Sequence, residues 1–185
     1  SMSYRTLGKQ IAPLIIRTRG HRLEGIWHSG SQMAAMIHLL RGIHILTPRN
    51  MTQAAGFYNT LMQIDQPAVV VECLNGYRIK ERPPVNLGEF TVPLGKIEVV
   101  VEGEDITVVS YGSTLRTVEA VTKRLNQEGI SIEIIDIQSL IPFDLSNEIC
   151  KSIEKTNRLL IVDEDMPGGA SSYILQQLLE KQVIH

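Results

Sequence analysis

Apolar and polar positions fall along this chain in blocks that read as strand, helix and strand, and the plan runs twice. Ala12–Arg17 is a short, nearly unbroken apolar run and predicts a buried strand. A polar, glycine-rich stretch follows from Thr18 to Gly30. Met33, Met36, Ile37 and Leu40 then recur at helical spacing, which predicts a helix with one apolar face, closed by Gly42. Ile43–Leu46 predicts a second strand, Met51–Ile64 a second helix and Ala68–Glu72 a third strand.

The later half repeats the plan more clearly. Ile106–Tyr111 predicts a strand, with Ser113 as the N-cap of a helix that carries Leu115, Val118, Val121 and Leu125 inward and ends at Gly129. Ile130–Ile137 predicts a strand with Pro142 at its exit. Leu145, Ile149 and Ile153 stripe another helix, Leu159–Val162 predicts a strand, and Tyr173 to Leu179 lies on the last helix. Nearly continuous apolar strands between helices predict an α/β fold of two parallel-sheet units, each covered on both faces. The second sheet reads as unfinished, since no strand follows its final helix.

Composition and charge refine this picture. With 185 residues, 43% of them apolar, the chain can bury a core, which excludes disorder. Through Val92 there are 10 basic and 5 acidic residues, net +5; the remainder has 8 and 15, net −7. The sign changes beside Arg82-Pro83-Pro84-Val85-Asn86-Leu87-Gly88, which reads as a linker, so the domain boundary is placed near residue 90. The cations of the first half are scattered and lack interleaved aromatics, which argues against nucleic acid. No apolar run approaches the ~20 residues of a membrane span. Cys73 and Cys150 stand far apart without companion ligands, so a disulfide scaffold or zinc module is excluded and two buried, reduced thiols are expected. No secretory leader is visible. A cytoplasmic location is expected, or the mitochondrial matrix if the source is eukaryotic. Ser1-Met2-Ser3 reads as a cloning scar, and the chain stops at His185 without a turn residue, so a fragment of a longer protein is expected.

Two loops fall where open parallel sheets bind ligands, at the carboxyl ends of strands. The first, Thr18 to Gly30, holds His21, His28, Arg19 and Arg22, groups able to bind a carboxylate and move a proton near neutral pH. The bland alternative is that its histidines cap the next helix. The second, Asp163 to Ala170, lacks any glycine pattern for phosphate; an acidic solvated turn is the favoured reading over a cation site. His38 and His44 lie beside apolar stripes and read as structural.

Several segments, in order across essentially the whole chain, resemble the β half of the thiamine-diphosphate-dependent E1 component of 2-oxo acid dehydrogenase complexes. They are Ala12-Pro13-Leu14-Ile15-Ile16-Arg17-Thr18, Trp27-His28-Ser29, Thr47-Pro48-Arg49, Pro67-Ala68-Val69-Val70-Val71-Glu72, Pro93-Leu94-Gly95-Lys96, Asp105 to Gly112, and Lys155-Thr156-Asn157-Arg158-Leu159. The run from Arg17 to Ser29 is most similar to single-chain enzymes that fuse the α and β parts and act on branched-chain 2-oxo acids or pyruvate.

The resemblance implies that residues 4–90 are the later part of a transketolase-like pyrimidine-binding domain. Residues 91–185 would then begin a transketolase C-terminal-type domain. It places His28 on the family's catalytic histidine, which holds the 2-oxo acid carboxylate and then assists acyl transfer to the lipoyl group of the E2 acyltransferase. It implies thiamine diphosphate and Mg²⁺, held mainly by parts not in this chain, the activating glutamate falling ahead of Tyr4. It also implies an α-type E1 subunit or domain as partner, and an oligomer. The family often has an Asp and an Asn near a monovalent-cation site where this chain has Ile64 and Gln66, with Asp65 between. Such a cation would rest on backbone carbonyls of Leu61 and Met62. The isolated chain is expected to be inactive. Competing readings are another thiamine enzyme of the transketolase group, such as transketolase or deoxyxylulose-phosphate synthase, and a noncatalytic partner-docking module.

Overall fold

The computed structural model describes residues 5–20 and 32–182. In chain order the elements are β1 (Ile15–Gly20), α1 (Met33–Leu39), β2 (His44–Leu46), α2 (Met51–Leu61) and β3 (Ala68–Cys73), followed by a 3-10 helix (Leu74–Arg78). The second half contributes β4 (Glu98–Val101), β5 (Ile106–Ser110), α3 (Thr114–Gln127), β6 (Ile132–Asp136), β7 (Ser139–Ile141), α4 (Glu148–Thr156), β8 (Leu159–Ile161) and α5 (Ala170–Gln182).

Two four-stranded sheets result, in the orders β1-β3-β2-β7 and β4-β6-β5-β8. The fold class is α/β as the periodicity predicts, but neither sheet is purely parallel. β7 runs antiparallel to β2, and β4 antiparallel to β6. Both were unforeseen. β7 has only three residues, and β4, just ahead of Gly103, has four, two exposed and two half-buried, with none fully buried to mark it. β7 also comes from beyond the proline-rich seam, yet it completes the first sheet.

β3 explains how that sheet is covered. All six of its residues are buried, and the strand alternation sends them to two different faces. Ala68 and Val70 pack with Phe57 and Leu61 of α2, while Val69 and Val71 pack with Met33 and Ile37 of α1. The second cluster continues without a break into Val109, Ile135, Leu140, Ile149 and Ile174, so the two sheets share one core.

The seam is pinned rather than loose. Asn59 Nδ2 donates to the carbonyls of Leu87 and Phe90, and Thr60 Oγ1 to that of Val92. Gly56 permits this close approach, since a Cβ there would lie 2.6 Å from Val92 Cγ2.

Several expectations are corrected. Ala12–Arg17 is not a buried strand: β1 starts only at Ile15, stands at the sheet edge and leaves Ile16 45% exposed. Pro13 has no N–H to give a ladder. α1 ends at Leu39, with Leu40 extended at its C-cap, so Gly42 lies beyond the cap. α2 stops at Leu61, short of Ile64. Ser113 stands at the N-cap of α3 but makes no side-chain capping bond. Val121 faces outward, whereas Leu115 and Val118 are buried. Leu145 is exposed and precedes α4, whose first turn is held instead by Asp144, accepting from Glu148 N and Ile149 N.

Candidate functional site

Parallel pairing brings the carboxyl ends of β1, β3 and β2 to one edge of the first sheet. From that edge Gly20 leads into residues 21–31, and the described chain resumes at Gln32. His21, Trp27 and His28 therefore lie outside the described residues.

Helices α1 and α2 begin at the same edge, because each follows a strand that ends there. Every helix start exposes backbone N–H groups and a partial positive charge. Both are met by carboxylates from distant parts of the chain. Asp165 Oδ2 accepts from Ala34 N at 3.1 Å. Glu81 accepts from Met51 N at 3.1 Å, Thr52 N at 3.0 Å and Thr52 Oγ1 at 2.7 Å, beside the Asn50 side-chain cap. Burial pushes Glu81 up, but the Thr52 and Met51 hydrogen bonds outweigh it and hold the carboxyl below its ordinary value.

A second cluster surrounds Glu72, the last polar group of β3 before the edge. Its side chain is 1% exposed, and it accepts from Arg17 Nη2 at 2.7 Å, Tyr58 OH at 2.5 Å and Tyr77 OH at 2.5 Å. Burial raises the Glu72 carboxyl, yet these three donors outweigh burial and keep it ionised below its usual range. The same contacts, together with burial, push both phenols upward. Glu72 is thus a buried anion with fixed donors.

The third cluster stitches the two sheets. Arg49, three residues past β2, donates from Nη1 to Asp136 Oδ2 at 2.7 Å and to Glu98 Oε2 at 2.7 Å. Gln53 Nε2 adds a bond to Asp136 at 3.1 Å, and Gln138 N another at 3.0 Å. Asp136 is fully buried, and burial pushes it up to about 6 against the pull of Arg49 and its other donors. Beside this network opens a cleft of about 190 Å³ lined by Arg49, Asn50, Ile79, Glu81, Arg116 and Glu119.

The loop Asp163 to Ala170 is neither a solvated acidic turn nor a cation site among the described residues. Asp163 accepts from Tyr111 OH at 2.6 Å, Asp165 N at 3.0 Å and Ser171 N at 2.9 Å, and Asp165 holds α1 as above. Asp163 and Asp165 thus serve as helix caps. Leu61 and Met62 sit at the carboxyl end of α2, hence at the opposite sheet edge from Gly20, and Leu61 O accepts from Ile64 N at 3.4 Å. There Gln66 Oε1 lies 2.5 Å from His44 Nε2. Both cysteines are free and buried, as expected.

The polar clusters escaped the sequence reading because their partners are 55, 87 and 131 positions apart. One signal was available: Glu72 closes an otherwise apolar run and had to find donors if that run was buried. The carboxylates of Glu72, Glu81, Asp136, Asp163 and Asp165 are already engaged by arginine, tyrosine, hydroxyl, amide or backbone N–H donors, and no group of three or more metal-ligating side chains occurs among the described residues. These residues therefore do not fit a Mg²⁺–diphosphate site.

Comparison with known proteins agrees with this architecture. Residues 95–185 match the family model described as transketolase, C-terminal domain. The pyruvate dehydrogenase E1 component subunit beta of Acholeplasma laidlawii is 30% identical, over 100% of this chain and 56% of that protein. The mitochondrial 2-oxoisovalerate dehydrogenase subunit beta of Chaetomium thermophilum is 36% identical over 76% of this chain and 30% of that protein. The chain thus spans about half or less of the length of these relatives. A solved structure described as a split gene transketolase, inactive beta4 tetramer, superposes with a TM-score of 0.72 at 21% identity, covering 98% of this chain and 60% of its own, a likeness of fold. In its second half the chain carries a transketolase C-terminal domain, and over its whole length it is similar to the β subunits of 2-oxo acid dehydrogenase E1 components.

Proposed function

We propose that this chain is the β-type part of an E1 component that decarboxylates a 2-oxo acid, branched-chain 2-oxoisovalerate or pyruvate. The acyl group then passes to the lipoyl group of an E2 acyltransferase, with an α-type E1 subunit or domain as partner. The observation that carries this reading is the similarity to E1 β subunits of both substrate classes, along the whole chain for the pyruvate one and over 76% of it for the 2-oxoisovalerate one. Thiamine diphosphate, when bound, supplies the electron sink for loss of carbon dioxide. Its Mg²⁺ and diphosphate are assigned to residues outside the described set.

His28 is this chain's reacting group. As an imidazolium it neutralises the substrate carboxylate, and it later donates a proton to the sulfur leaving the opened dithiolane ring. β1 leads to the carboxyl edge, and His28 follows Gly20 by eight positions in sequence, so the supporting scaffold is the parallel trio β1, β3 and β2. Glu72, with Arg17, Tyr58 and Tyr77, keeps that edge rigid.

The test is His28→Ala in the full-length parent. Positioned acid–base groups contribute about 10²–10⁴-fold, so acyl transfer to lipoyl should fall by at least about a hundredfold. Unchanged turnover would mean that the chain docks a partner without taking part in the chemistry. The isolated 185 residues, given thiamine diphosphate and either 2-oxo acid, should release no carbon dioxide.

A further inference from the structure

The cleft of about 190 Å³ lies where α3 of the second half faces the start of α2 in the first. Three segments that meet only in the fold line it. Arg49 and Asn50 follow β2, Ile79 and Glu81 lie past the 3-10 helix, and Arg116 and Glu119 stand on α3. Both α2 and α3 begin where a strand of a parallel pair ends, the edge at which open α/β sheets take their ligands. The volume is below the ~300 Å³ at which pockets for drug-sized molecules begin, so the cleft suits one small molecule.

Its walls carry two guanidiniums and two carboxylates, so the charges balance. Half of them are engaged elsewhere. Arg49 donates to Asp136 and Glu98, both at 2.7 Å, and Glu81 accepts from Met51 N, Thr52 N and Thr52 Oγ1. Arg116 and Glu119 differ from these. They stand three positions apart on one face of α3, and neither side chain makes a hydrogen bond or an ion pair among the described residues. Burial raises the Glu81 carboxyl, the Thr52 and Met51 bonds lower it, and the charge of Arg116 lowers it further through space. Arg116 thus lies near Glu81 without bonding to it, and the space between them is open. Ile79, 42% exposed, supplies the apolar wall.

We propose that this cleft binds an α-amino acid with an apolar side chain, its carboxylate at Arg116, its ammonium at Glu119 and its side chain against Ile79. The charge pattern selects a zwitterion. A dianion such as phosphate would meet Glu81 and Glu119 along with the arginines, and a dication would meet Arg49 and Arg116. A molecule with one charge of each sign answers both uncommitted groups and adds no net charge. Covering Ile79 removes apolar surface from water, which favours an aliphatic side chain over a polar one. Ion pairs open to solvent contribute little, so the affinity is modest, with a Kd of about 1 mM.

The experiment titrates L-leucine into the full-length parent as holoenzyme, read by saturation-transfer NMR on the ligand. 3-Methylbutylamine lacks the carboxylate and 4-methylpentanoate lacks the ammonium, so each should bind about fivefold more weakly than leucine. Arg116→Gln and Glu119→Gln should each weaken leucine by about the same factor. Exchanging the charges, in Arg116→Glu with Glu119→Arg, should recover binding that Arg116→Glu alone loses. Arg116 is exposed and glutamine suits a helix, so both Gln variants should keep the wild-type Tm. Without leucine, their turnover of the 2-oxo acid should stay within about twofold of wild type. No saturation by about 50 mM leucine, equal affinity for the amine or the acid alone, or unchanged leucine binding in both Gln variants would each overturn the proposal. Inorganic phosphate that binds more tightly than leucine, and loses that binding in Arg116→Gln, would make the cleft an anion site and overturn it as well.

Discussion

Arg49 Nη1 lies 2.7 Å from Asp136 Oδ2, and this contact ties the carboxyl end of β2 to that of β6. The carboxylate is wholly buried, whereas the Arg49 side chain keeps 20% of its surface in solvent. Removing one partner of such a pair leaves a buried charge without compensation, so Arg49→Met should cost about 3 kcal/mol or more in chemical denaturation. A loss below about 1 kcal/mol would show that Gln53 and Gln138 suffice to hold Asp136.

Asp136 also makes a pH prediction with a definite sign. Its folded value, about 6, lies above the ordinary 3.8, so the folded state holds this proton more tightly than the unfolded chain. The stability it contributes is full below the ordinary value and is lost as pH rises through about 6. In urea unfolding, any stability advantage of wild type over Asp136→Asn should therefore shrink between about pH 4 and 7. A difference that is flat across that window would contradict the burial of an ionising group there.

Glu72 behaves in the opposite sense. Its carboxyl is held below the ordinary 4.5, so its stabilising contribution is present above that value and is lost as pH falls below it. Tyr58→Phe removes one of its three donors and should cost about 1–3 kcal/mol at neutral pH, with a smaller loss once Glu72 is protonated. Equal losses at both pH values would place the Tyr58 effect in packing instead.

At Gly56 two effects compete. Alanine favours helix by about 1 kcal/mol, but its Cβ would lie 2.6 Å from Val92 Cγ2 and 2.7 Å from the Phe90 ring. Both neighbours belong to the packed segment after the seam, and overpacking costs about 1–3 kcal/mol. Gly56→Ala should therefore destabilise on balance, and a raised Tm would show that the segment yields freely.

Cys73 is 1% exposed, donates to Pro48 O at 3.0 Å, and burial pushes its thiol up to about 12. Burial also raises Cys150. Mass spectrometry after iodoacetamide at about pH 8 should find both thiols unmodified in the native protein and both alkylated once it is unfolded. Rapid native labelling of Cys73 would contradict its enclosure.

Much of the fold could be read along the chain because the cause is local. The run Val69–Val71 could only be a buried strand, and Met33, Ile37, Leu115 and Val118 mark helix faces by spacing alone. The buried thiols and the α/β class follow from the same logic. Short elements failed this test: β7 has three residues, too few to show a period, and it becomes a strand by pairing with β2. Leu145 falls in register with Ile149 and Ile153, but spacing does not reveal that the helix begins only at Glu148, where Asp144 accepts from its first N–H groups.

The candidate site divides along the same line. Two histidines and two arginines in the glycine-rich stretch Thr18 to Gly30 are visible in the order of residues, as is the family resemblance. The bonds of Asp165 to Ala34, of Arg49 to Asp136 and of Glu72 to Arg17 are not, because hydrogen bonding carries no periodicity and joins whatever the fold brings within about 3 Å. Periodic burial of apolar side chains is written into neighbouring positions. The pairing of buried charges is decided only when distant segments meet in a medium that leaves an unpaired charge too costly to keep.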